Sequence, residues 1–294
     1  ITHSEFQYNK GYSSGCVCVR NCMKVSSIGN LFFRNSADRE QSRGGAIYIG
    51  HIIYKFEILG CNISENTAGT GAGIYCLDCS RICVRNNQFS HNRARYAGGG
   101  MSIKTSYILD SSYNIFYKNT GTKGGGMEVK RIKLMTIISN SQYIKNSVSY
   151  DGAAVDITLS KSVKIINNNY HDNTGFNGGG IIIKGCMNVN TTSNIYYKNA
   201  GSYGGGMSMI GCRKIIINNS QFVKNTVSYK GAGVFIKSYS KSILNIINSS
   251  YYENAGSYGG GMSMIGCRKI IIYNSQFVKN NVSYYGAGVF IDNT

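Results

Sequence analysis

The sequence predicts an all-β fold, a right-handed parallel β-helix of about eleven coils with about 27 residues per coil. Three observations support this prediction: a motif ending in Asn that recurs along the whole chain, a small-residue cluster after nearly every copy, and short apolar runs rich in β-branched residues. The 37 glycines would each cost roughly 1 kcal/mol inside helices. The pattern therefore indicates stacked strands and not a helical repeat.

The Asn motif sets the period of the repeat. It consists of an aromatic or apolar residue, two variable residues and Asn, and successive copies lie 26 to 31 residues apart. Coils of a β-helix stack about 4.8 Å apart, so equivalent Asn side chains should hydrogen-bond to each other as a ladder at a tight corner. The expected ladder residues are Asn9, Asn35, Asn66, Asn92, Asn119, Asn146, Asn173, Asn199, Asn225, Asn254 and Asn280.

The apolar positions of the repeat define its interior. The aromatic residue three positions before each Asn is expected to point inward, as is the Met, Ile or Val that follows each glycine cluster. In Met207-Ser208-Met209, strand alternation places the two Met in the core and Ser208 in solvent. Proline is absent, which suits a chain whose backbone N–H groups pair with neighbouring coils.

The chain shows no linker, charge block or change of composition, so we expect residues 1–294 to form a single β-helix domain. Residues 199–236 and 254–291 match at 35 of 38 positions, which indicates a duplicated pair of coils. The sequence begins and ends in mid-coil, whereas exposed coil ends are normally capped. We therefore expect a fragment or processed part of a longer protein. The alternative is a subunit that self-associates through its uncapped coil ends.

The charge is strongly positive. The chain has 31 basic and 13 acidic residues, a formal net charge of +18. This favours an anionic partner, such as an acidic glycan or an acidic protein surface, while no feature indicates specific nucleic-acid recognition. The alternative explanation is that Lys keeps exposed strands soluble. The lysines that directly precede a ladder Asn are candidate ligand-facing residues: Lys118, Lys145, Lys198, Lys224 and Lys279.

Tyrosines four residues after the ladder Asn form a second candidate set. On consecutive coils they should stack as a column at a turn. Such a column is either a flat carbohydrate-binding face or aromatic packing that shields a corner. The residues on consecutive coils are Tyr203, Tyr229, Tyr258 and Tyr284.

Ten cysteines raise the question of disulfides and metals. Cys186 and Cys212 lie one coil apart, which places their Cα atoms about 5 Å from each other and within disulfide range. The local clusters, such as Cys16, Cys18 and Cys22, lack the paired spacing and the nearby His of a zinc site. The sequence therefore predicts no metal and no cofactor, and small buried thiols are the alternative to a disulfide.

Parallel β-helices often cleave acidic polysaccharides, so an enzyme has to be considered. Hydrolysis needs paired carboxylates on one face, and lyases commonly use a carboxylate-bound Ca²⁺ beside a basic residue. The seven Asp and six Glu look scattered, and Asp151 and Asp156, which share a coil, flank an apolar strand. We therefore predict no catalytic residue and place a polysaccharide-active enzyme third among the hypotheses.

Phe32-Phe33-Arg34-Asn35, followed by Gly44-Gly45-Ala46-Ile47, resembles the repeat of the chlamydial polymorphic membrane proteins, a β-helical autotransporter adhesin family. Looser copies cover the chain, and similar repeats occur in surface proteins of protists such as trichomonads. The resemblance implies a rod that is extracellular or on the cell surface. The first hypothesis is a non-enzymatic adhesin or display rod that binds anionic partners through repeated basic and aromatic ladders. The alternative is a structural filament subunit, stacked end to end, or a rod within a larger assembly.

Overall fold

A computed structural model describes residues 1–238 and 242–292 as a parallel β-helix. One sheet contains eleven parallel strands, one for each ladder Asn, so the prediction of a β-solenoid of about eleven coils is confirmed. The coils are numbered here by their ladder Asn, from the first (Asn9) to the eleventh (Asn280). No helix within the described residues is long and apolar enough to cross a membrane.

A regular coil contains four short strands, numbered here from the one that follows the glycine cluster. The first strands are Val17–Arg20, Met101–Lys104, Met127–Lys130, Val155–Thr158, Ile181–Lys184, Met207–Ile210, Val234–Lys237, Met262–Ile265 and Val289–Asp292. The second strands are Lys24–Ile28, Ile108–Ser112, Met135–Ser139, Ser162–Ile166, Asn188–Thr192, Lys214–Asn218, Ile243–Ile247 and Lys269–Tyr273. Two long strands combine both positions: Ile47–Leu59 and Ile74–Arg85.

The third and fourth strands flank the ladder Asn. The third strands are Glu5–Gln7, Leu31–Phe33, Asn62–Ser64, Gln88–Ser90, Ile115–Tyr117, Gln142–Ile144, Asn169–His171, Ile195–Tyr197, Gln221–Val223, Ser250–Tyr252 and Gln276–Val278. The fourth strands are Lys10–Gly11, Ser36–Ala37, Thr67–Thr70, Arg93–Ala97, Thr120–Lys123, Ser147–Asp151, Ala200–Tyr203, Thr226–Lys230, Ala255–Tyr258 and Asn281–Tyr285. The seventh coil continues the fourth position only through isolated bridges at Thr174 and Asn177.

A stack of aromatic rings fills the interior at the third strands, as the sequence predicts. Rings on neighbouring coils lie parallel, with centroids 4.6–5.0 Å apart and interplanar angles of 1–9°. The spacing follows from the parallel register, which places Phe116 against Tyr143 and Tyr143 against Tyr170. Such pairs add about 0.5–1.5 kcal/mol each beyond the burial of their area. The stack is therefore a main source of stability.

The ladder Asn side chains connect every coil to the next at the corner after the third strand. At Asn146, the side-chain amide donates to the Asn173 Oδ1 at 3.0 Å and to the Phe116 carbonyl at 2.9 Å. Its Oδ1 accepts from the backbone and the side-chain amide of Asn119 at 3.0 and 3.1 Å. The preceding Lys145 has φ +53°, which turns the backbone, and the Asn146 N–H after this turn donates to the Asn173 Oδ1 at 2.9 Å. The ladder satisfies those polar groups at a fully buried corner.

A second ladder, which the sequence analysis missed, runs along the corner between the second and third strands. There the side chain of one coil accepts a hydrogen bond from the backbone N–H of the coil before it, as Asn114 does for Asn87 at 2.9 Å. Asn and Ser alternate irregularly at this position, and both supply the required acceptor. The ladder consists of Asn30, Cys61, Asn87, Asn114, Ser141, Asn168, Asn194, Ser220, Ser249 and Ser275.

The prediction that Ser208 faces solvent is wrong, although Met207 and Met209 are in the core. Ser208 is fully buried. The turn before the first strand is tight: Gly204 has φ +61°, and a Cβ there would lie 2.3 Å from the Met207 carbonyl oxygen. The end of the fourth strand consequently folds over the outward face of the first strand. Side chains along the first strand therefore alternate between two buried environments, and not between the core and the solvent.

We expect Asn146→Ala to lower the free energy of unfolding by about 3–5 kcal/mol, because the buried Phe116 carbonyl and Asn119 amide lose their partners. Urea unfolding followed by circular dichroism would measure the change. The matched control is Asn169→Ala, an exposed Asn on the third strand of the next coil, for which we expect less than about 0.5 kcal/mol. Equal losses in the two variants would contradict a stabilising role for the ladder.

Candidate functional site

Two adjoining concavities, of about 360 and 590 Å³, lie along the fourth strands of the second to sixth coils. They share Arg93 and Arg95. We call their combined surface the arginine trough. The residues that line it are Ser36, Ala37, Asp38, Arg39, Thr67, Ala68, Gly69, His91, Arg93, Ala94, Arg95, Lys118, Thr120, Gly121, Thr122 and Ser149.

Local sequence explains the shape of the arginine trough. Small residues follow the ladder Asn in these coils, and Ala68 pairs with Ala94 in register. Eight residues lie between Asn35 and the first glycine of its cluster, against five after Asn92, and the additional length forms a loop at residues 38–43. Part of that loop, Asp38 and Arg39, lines one end of the trough. The result is a shallow depression with small residues between basic side chains.

The arginine trough has unpaired positive charge. Its carboxylates already have partners: Lys10 lies 2.8 Å from Asp38, and Arg95 lies 3.7 Å from Glu40 beside the trough. Hydrogen bonds from Lys10 and Ser36 hold the pKa of the Asp38 carboxyl below its usual range.

Three cations of the trough remain available to a ligand. Within residues 1–238 and 242–292, Arg39, Arg93 and Lys118 take part in no ion pair of 4.0 Å or less. All three are exposed. The arrangement can therefore hold an anionic ligand, with two guanidinium groups suited to carboxylate or sulfate oxygens.

The predicted lysine column lies at the corner beside the ladder, and only Lys118 lines the arginine trough. All five lysines are exposed and have φ between +51° and +54°. The column is not purely basic, because other coils place acidic residues at the same corner. Glu253 lies 3.3 Å from Lys224 there, and Glu65 lies 2.7 Å from Arg34. Within the described residues, Lys224 is the one predicted lysine held in an ion pair, and Lys118, Lys145, Lys198 and Lys279 are exposed without one.

The predicted tyrosine column forms a zigzag and not a flat face. Tyr203 and Tyr258 each end a four-residue fourth strand, whereas Tyr229 and Tyr284 are followed by one further strand residue. In register, Tyr203 and Tyr258 therefore pair with Lys230. The ring centroids from Tyr203 to Tyr229 and on to Tyr258 are 5.2 and 5.6 Å apart, with edge-on geometry.

The predicted disulfide between Cys186 and Cys212 is not present, and both residues are buried free thiols. A hydrogen bond from Cys186 to the Cys212 sulfur and burial together raise the pKa of the Cys186 thiol far above its usual value. Stacked coils bring the two side chains into contact, as expected, but contact between thiols suffices for packing. Among the described residues no group of three or more His, Cys, Asp or Glu side chains is arranged to hold a metal ion.

The expectation that the carboxylates are scattered is wrong for three of them. Glu128 and Asp156 are register neighbours on adjacent first strands, and the turn after Asp151 brings that residue to the same place. Lys184 lies 2.6 Å from Asp151 and 3.3 Å from Asp156. Lys104 lies 3.2 Å from Glu128. We call these five residues the carboxylate–lysine network.

The carboxylate–lysine network is largely closed to solvent, since its three carboxylate residues are at most 8% exposed. Burial, together with the charges of Asp151 and Glu128, raises the pKa of the Asp156 carboxyl above its usual value. Burial alone would lower the pKa of Lys184, but Asp156 and Asp151 outweigh it and the net pKa is raised. Lys184 therefore stays protonated and neutralises the carboxylates that stacking forces together.

Sequence reasoning missed both the arginine trough and the network, but a signal for the trough was visible. Arg93-Ala94-Arg95 directly follows a ladder Asn, and alternation along a strand places both arginines on one face. The network had no such signal, because Asp151 and Asp156 are separated by a turn and Glu128 belongs to another coil.

A family model described as a right handed beta helix region matches residues 1–169, more than half of the chain. No curated protein and no solved structure matches the chain. The match agrees with the coil geometry and gives no ligand or partner.

We expect Lys184→Met to lower the free energy of unfolding at neutral pH by about 2–4 kcal/mol, because buried Asp156 would lose its cation and buried Asp151 would keep only Lys123, which lies 3.8 Å away. Without Lys184 the folded-state pKa of the Asp156 carboxyl, which is already raised, rises further above the unfolded value of about 3.9. A raised carboxyl pKa gives stability that is present below the unfolded pKa and is lost as pH rises through the folded pKa. The loss in free energy of unfolding caused by Lys184→Met should therefore be smallest near pH 4.

Urea unfolding between about pH 4 and pH 7 measures this dependence. The control is Lys130→Met, which changes a lysine at the same register position of the sixth coil's first strand and makes no ion pair within the described residues. A deficit of the same size in both variants, or one that does not depend on pH, would rule out charge compensation by Lys184.

Proposed function

Because the chain belongs to the right-handed β-helix family, we propose that it is a non-enzymatic extracellular or cell-surface rod that binds an anionic polymer in the arginine trough. The observation that supports the proposal is the pair of adjoining concavities that share Arg93 and Arg95. The solenoid supplies a rigid surface on which identical steps repeat, and the trough is where that surface combines concavity with unpaired positive charge.

The dimensions of the trough favour a polymer over a small ion. Its lining residues extend from Ser36 in the second coil to Ser149 in the sixth. Four coil steps correspond to about 19 Å. An extended chain that carries several carboxylate or sulfate groups would contact Arg39, Arg93 and Lys118 together, so weak individual contacts would add up through avidity.

The resemblance of the repeat to chlamydial and protist surface adhesins is consistent with this proposal. The net charge of +18 attracts polyanions over distances near the Debye length, about 8 Å at physiological ionic strength. The lysines of the corner column, Lys145, Lys198, Lys224 and Lys279, would contribute to this general attraction. The contacts that hold the ligand are assigned to the trough.

We expect the double variant Arg39→Glu/Arg93→Glu to weaken binding of heparin, a sulfated polysaccharide, by about tenfold or more at 0.1 M salt, because neither arginine is held in an ion pair and both face the trough. Isothermal titration calorimetry of the purified chain measures the affinity. Circular dichroism checks that the variant is folded.

The control is Lys198→Glu/Lys279→Glu, which makes the same change of net charge at the corner column. We expect it to weaken heparin binding by less than about threefold, through long-range attraction alone. Equal effects of the two pairs would mean that heparin binds to diffuse charge and would sink the proposed site. Absence of heparin and polyglutamate binding by the unchanged protein would refute the proposed function itself.

A further inference from the structure

One aromatic side chain per coil lies along the fourth strands from the sixth to the eleventh coil. We call this set the aromatic strip; it consists of Tyr150, Phe176, Tyr203, Tyr229, Tyr258 and Tyr284. The centroids of successive rings are 6.1, 6.3, 5.2, 5.6 and 5.2 Å apart, so the contacts are unbroken over six coils. The sequence alone predicted an aromatic column in the last four coils only, with packing as the alternative to a carbohydrate-binding face.

Packing accounts for only two rings of the aromatic strip: Tyr203 and Tyr258 lie against Phe235 and Phe290, with ring centroids 5.1 and 5.6 Å apart. The interior already has its own stack of rings at the third strands. Four of the strip's rings remain strongly exposed: Tyr150 by 49%, Phe176 by 48%, Tyr229 by 42% and Tyr284 by 65%. A continuous row of exposed aromatic side chains is a mark of a binding surface, whereas scattered single ones are not.

Lysines lie over the rings of the aromatic strip. The Lys123 ammonium is 5.2 Å from the centroid of Tyr150. The Lys230 ammonium is 5.3 Å from the centroids of both Tyr229 and Tyr258. These cation–π contacts keep positive charge beside exposed aromatic rings. A ligand on the strip would therefore meet exposed apolar ring surface and a cation together.

The aromatic strip continues the arginine trough along the same face. Ser149, which lines the second concavity, directly precedes Tyr150, the first ring of the strip. Both belong to the fourth strand Ser147–Asp151. From the second to the eleventh coil this combined surface spans nine coil steps, about 43 Å. A polymer that leaves the trough toward the higher-numbered coils meets the strip.

We propose that the trough and the strip form one binding surface for an acidic polysaccharide, with pyranose rings stacked on the aromatic strip and carboxylate or sulfate groups held by the trough arginines and by Lys230. This rests on the proposed function and specifies its ligand. A pyranose ring has an apolar face of C–H groups that fits against an aromatic ring, and an acidic sugar adds the anion that the adjacent lysine attracts.

Other polyanions match the combined surface less well. An acidic peptide supplies charges but no regular row of flat apolar faces for the strip. Single-stranded nucleic acid stacks its bases on open aromatic faces. One coil step of about 4.8 Å is comparable to the length of one sugar in an extended chain and shorter than one extended nucleotide.

The test compares two ring deletions with a matched pair of exposed tyrosines elsewhere. Tyr150→Ala/Tyr229→Ala removes two exposed rings that carry a lysine. The control, Tyr54→Ala/Tyr273→Ala, removes rings that are 65% and 67% exposed on the second-strand side. The conservative variant Tyr150→Phe/Tyr229→Phe keeps the rings. The ligands are a heparin dodecasaccharide, polyglutamate of similar length and an oligothymidylate, titrated by calorimetry.

We expect the Tyr→Ala pair on the strip to weaken dodecasaccharide binding by about tenfold and to leave polyglutamate binding nearly unchanged, since only the sugar stacks on the rings. The Phe pair and the control pair should keep the affinity of the unchanged protein. Arg39→Glu/Arg93→Glu, in contrast, should weaken the binding of both the dodecasaccharide and polyglutamate. This difference separates the ligand assignment from the proposed function.

Three outcomes would overturn the assignment. If the strip and control pairs bind the dodecasaccharide with the affinity of the unchanged protein, the rings take no part and only the trough proposal stands. If Tyr150→Ala/Tyr229→Ala weakens polyglutamate binding as strongly as dodecasaccharide binding, the ligand is not recognised as a sugar. If oligothymidylate binds more tightly than the dodecasaccharide and loses affinity in the strip pair, the surface is a single-strand nucleic-acid site.

Discussion

Parallel hydrogen bonding between successive coils is the constraint on which the rest of the structure depends. It places each residue about one strand spacing from its equivalent in the next coil, so a side chain must be compatible with a copy of itself. Asn meets this requirement because its amide is donor and acceptor at once, as the Asn119–Asn146–Asn173 contacts show. Aromatic rings meet it by parallel stacking. Phe and Tyr alternate freely in the inner stack, which shows that the ring and not the hydroxyl is required there.

The same constraint works against charged residues. Like charges on adjacent coils repel, and the structure relieves the repulsion by mixing signs within a column. At the exposed corner, Glu253 beside Lys224 relieves the repulsion between like charges, although a single exposed ion pair contributes little to stability. Glu128 beside Asp156 is a different case, because both are buried and Lys184 and Lys104 have to compensate them. In the arginine trough, exposed positive charge without such compensation lies in a concavity.

Functional surfaces on a solenoid arise from columns and not from a single cleft. The trough and the aromatic strip lie on one face because both are built from fourth strands, whose outward residues tolerate substitution. Small residues such as Ala68, Ala94 and Gly121 make the first part concave, and Tyr or Phe make the second part apolar. A long ligand can meet both, whereas a small ligand would occupy one coil.

The sequence by itself determined the period, the strand composition and the inward position of the aromatic residues, because Asn, Gly and aromatic residues recur at the same place in nearly every coil. It also indicated positive charge, and Arg93-Ala94-Arg95 could have located part of it. Only the tertiary structure decided that Ser208 is buried, that Asp151 and Asp156 share Lys184, and that the tyrosines form a zigzag. Each depends on how a turn directs the chain or on one additional residue such as Lys230, and a repeat pattern does not contain that information.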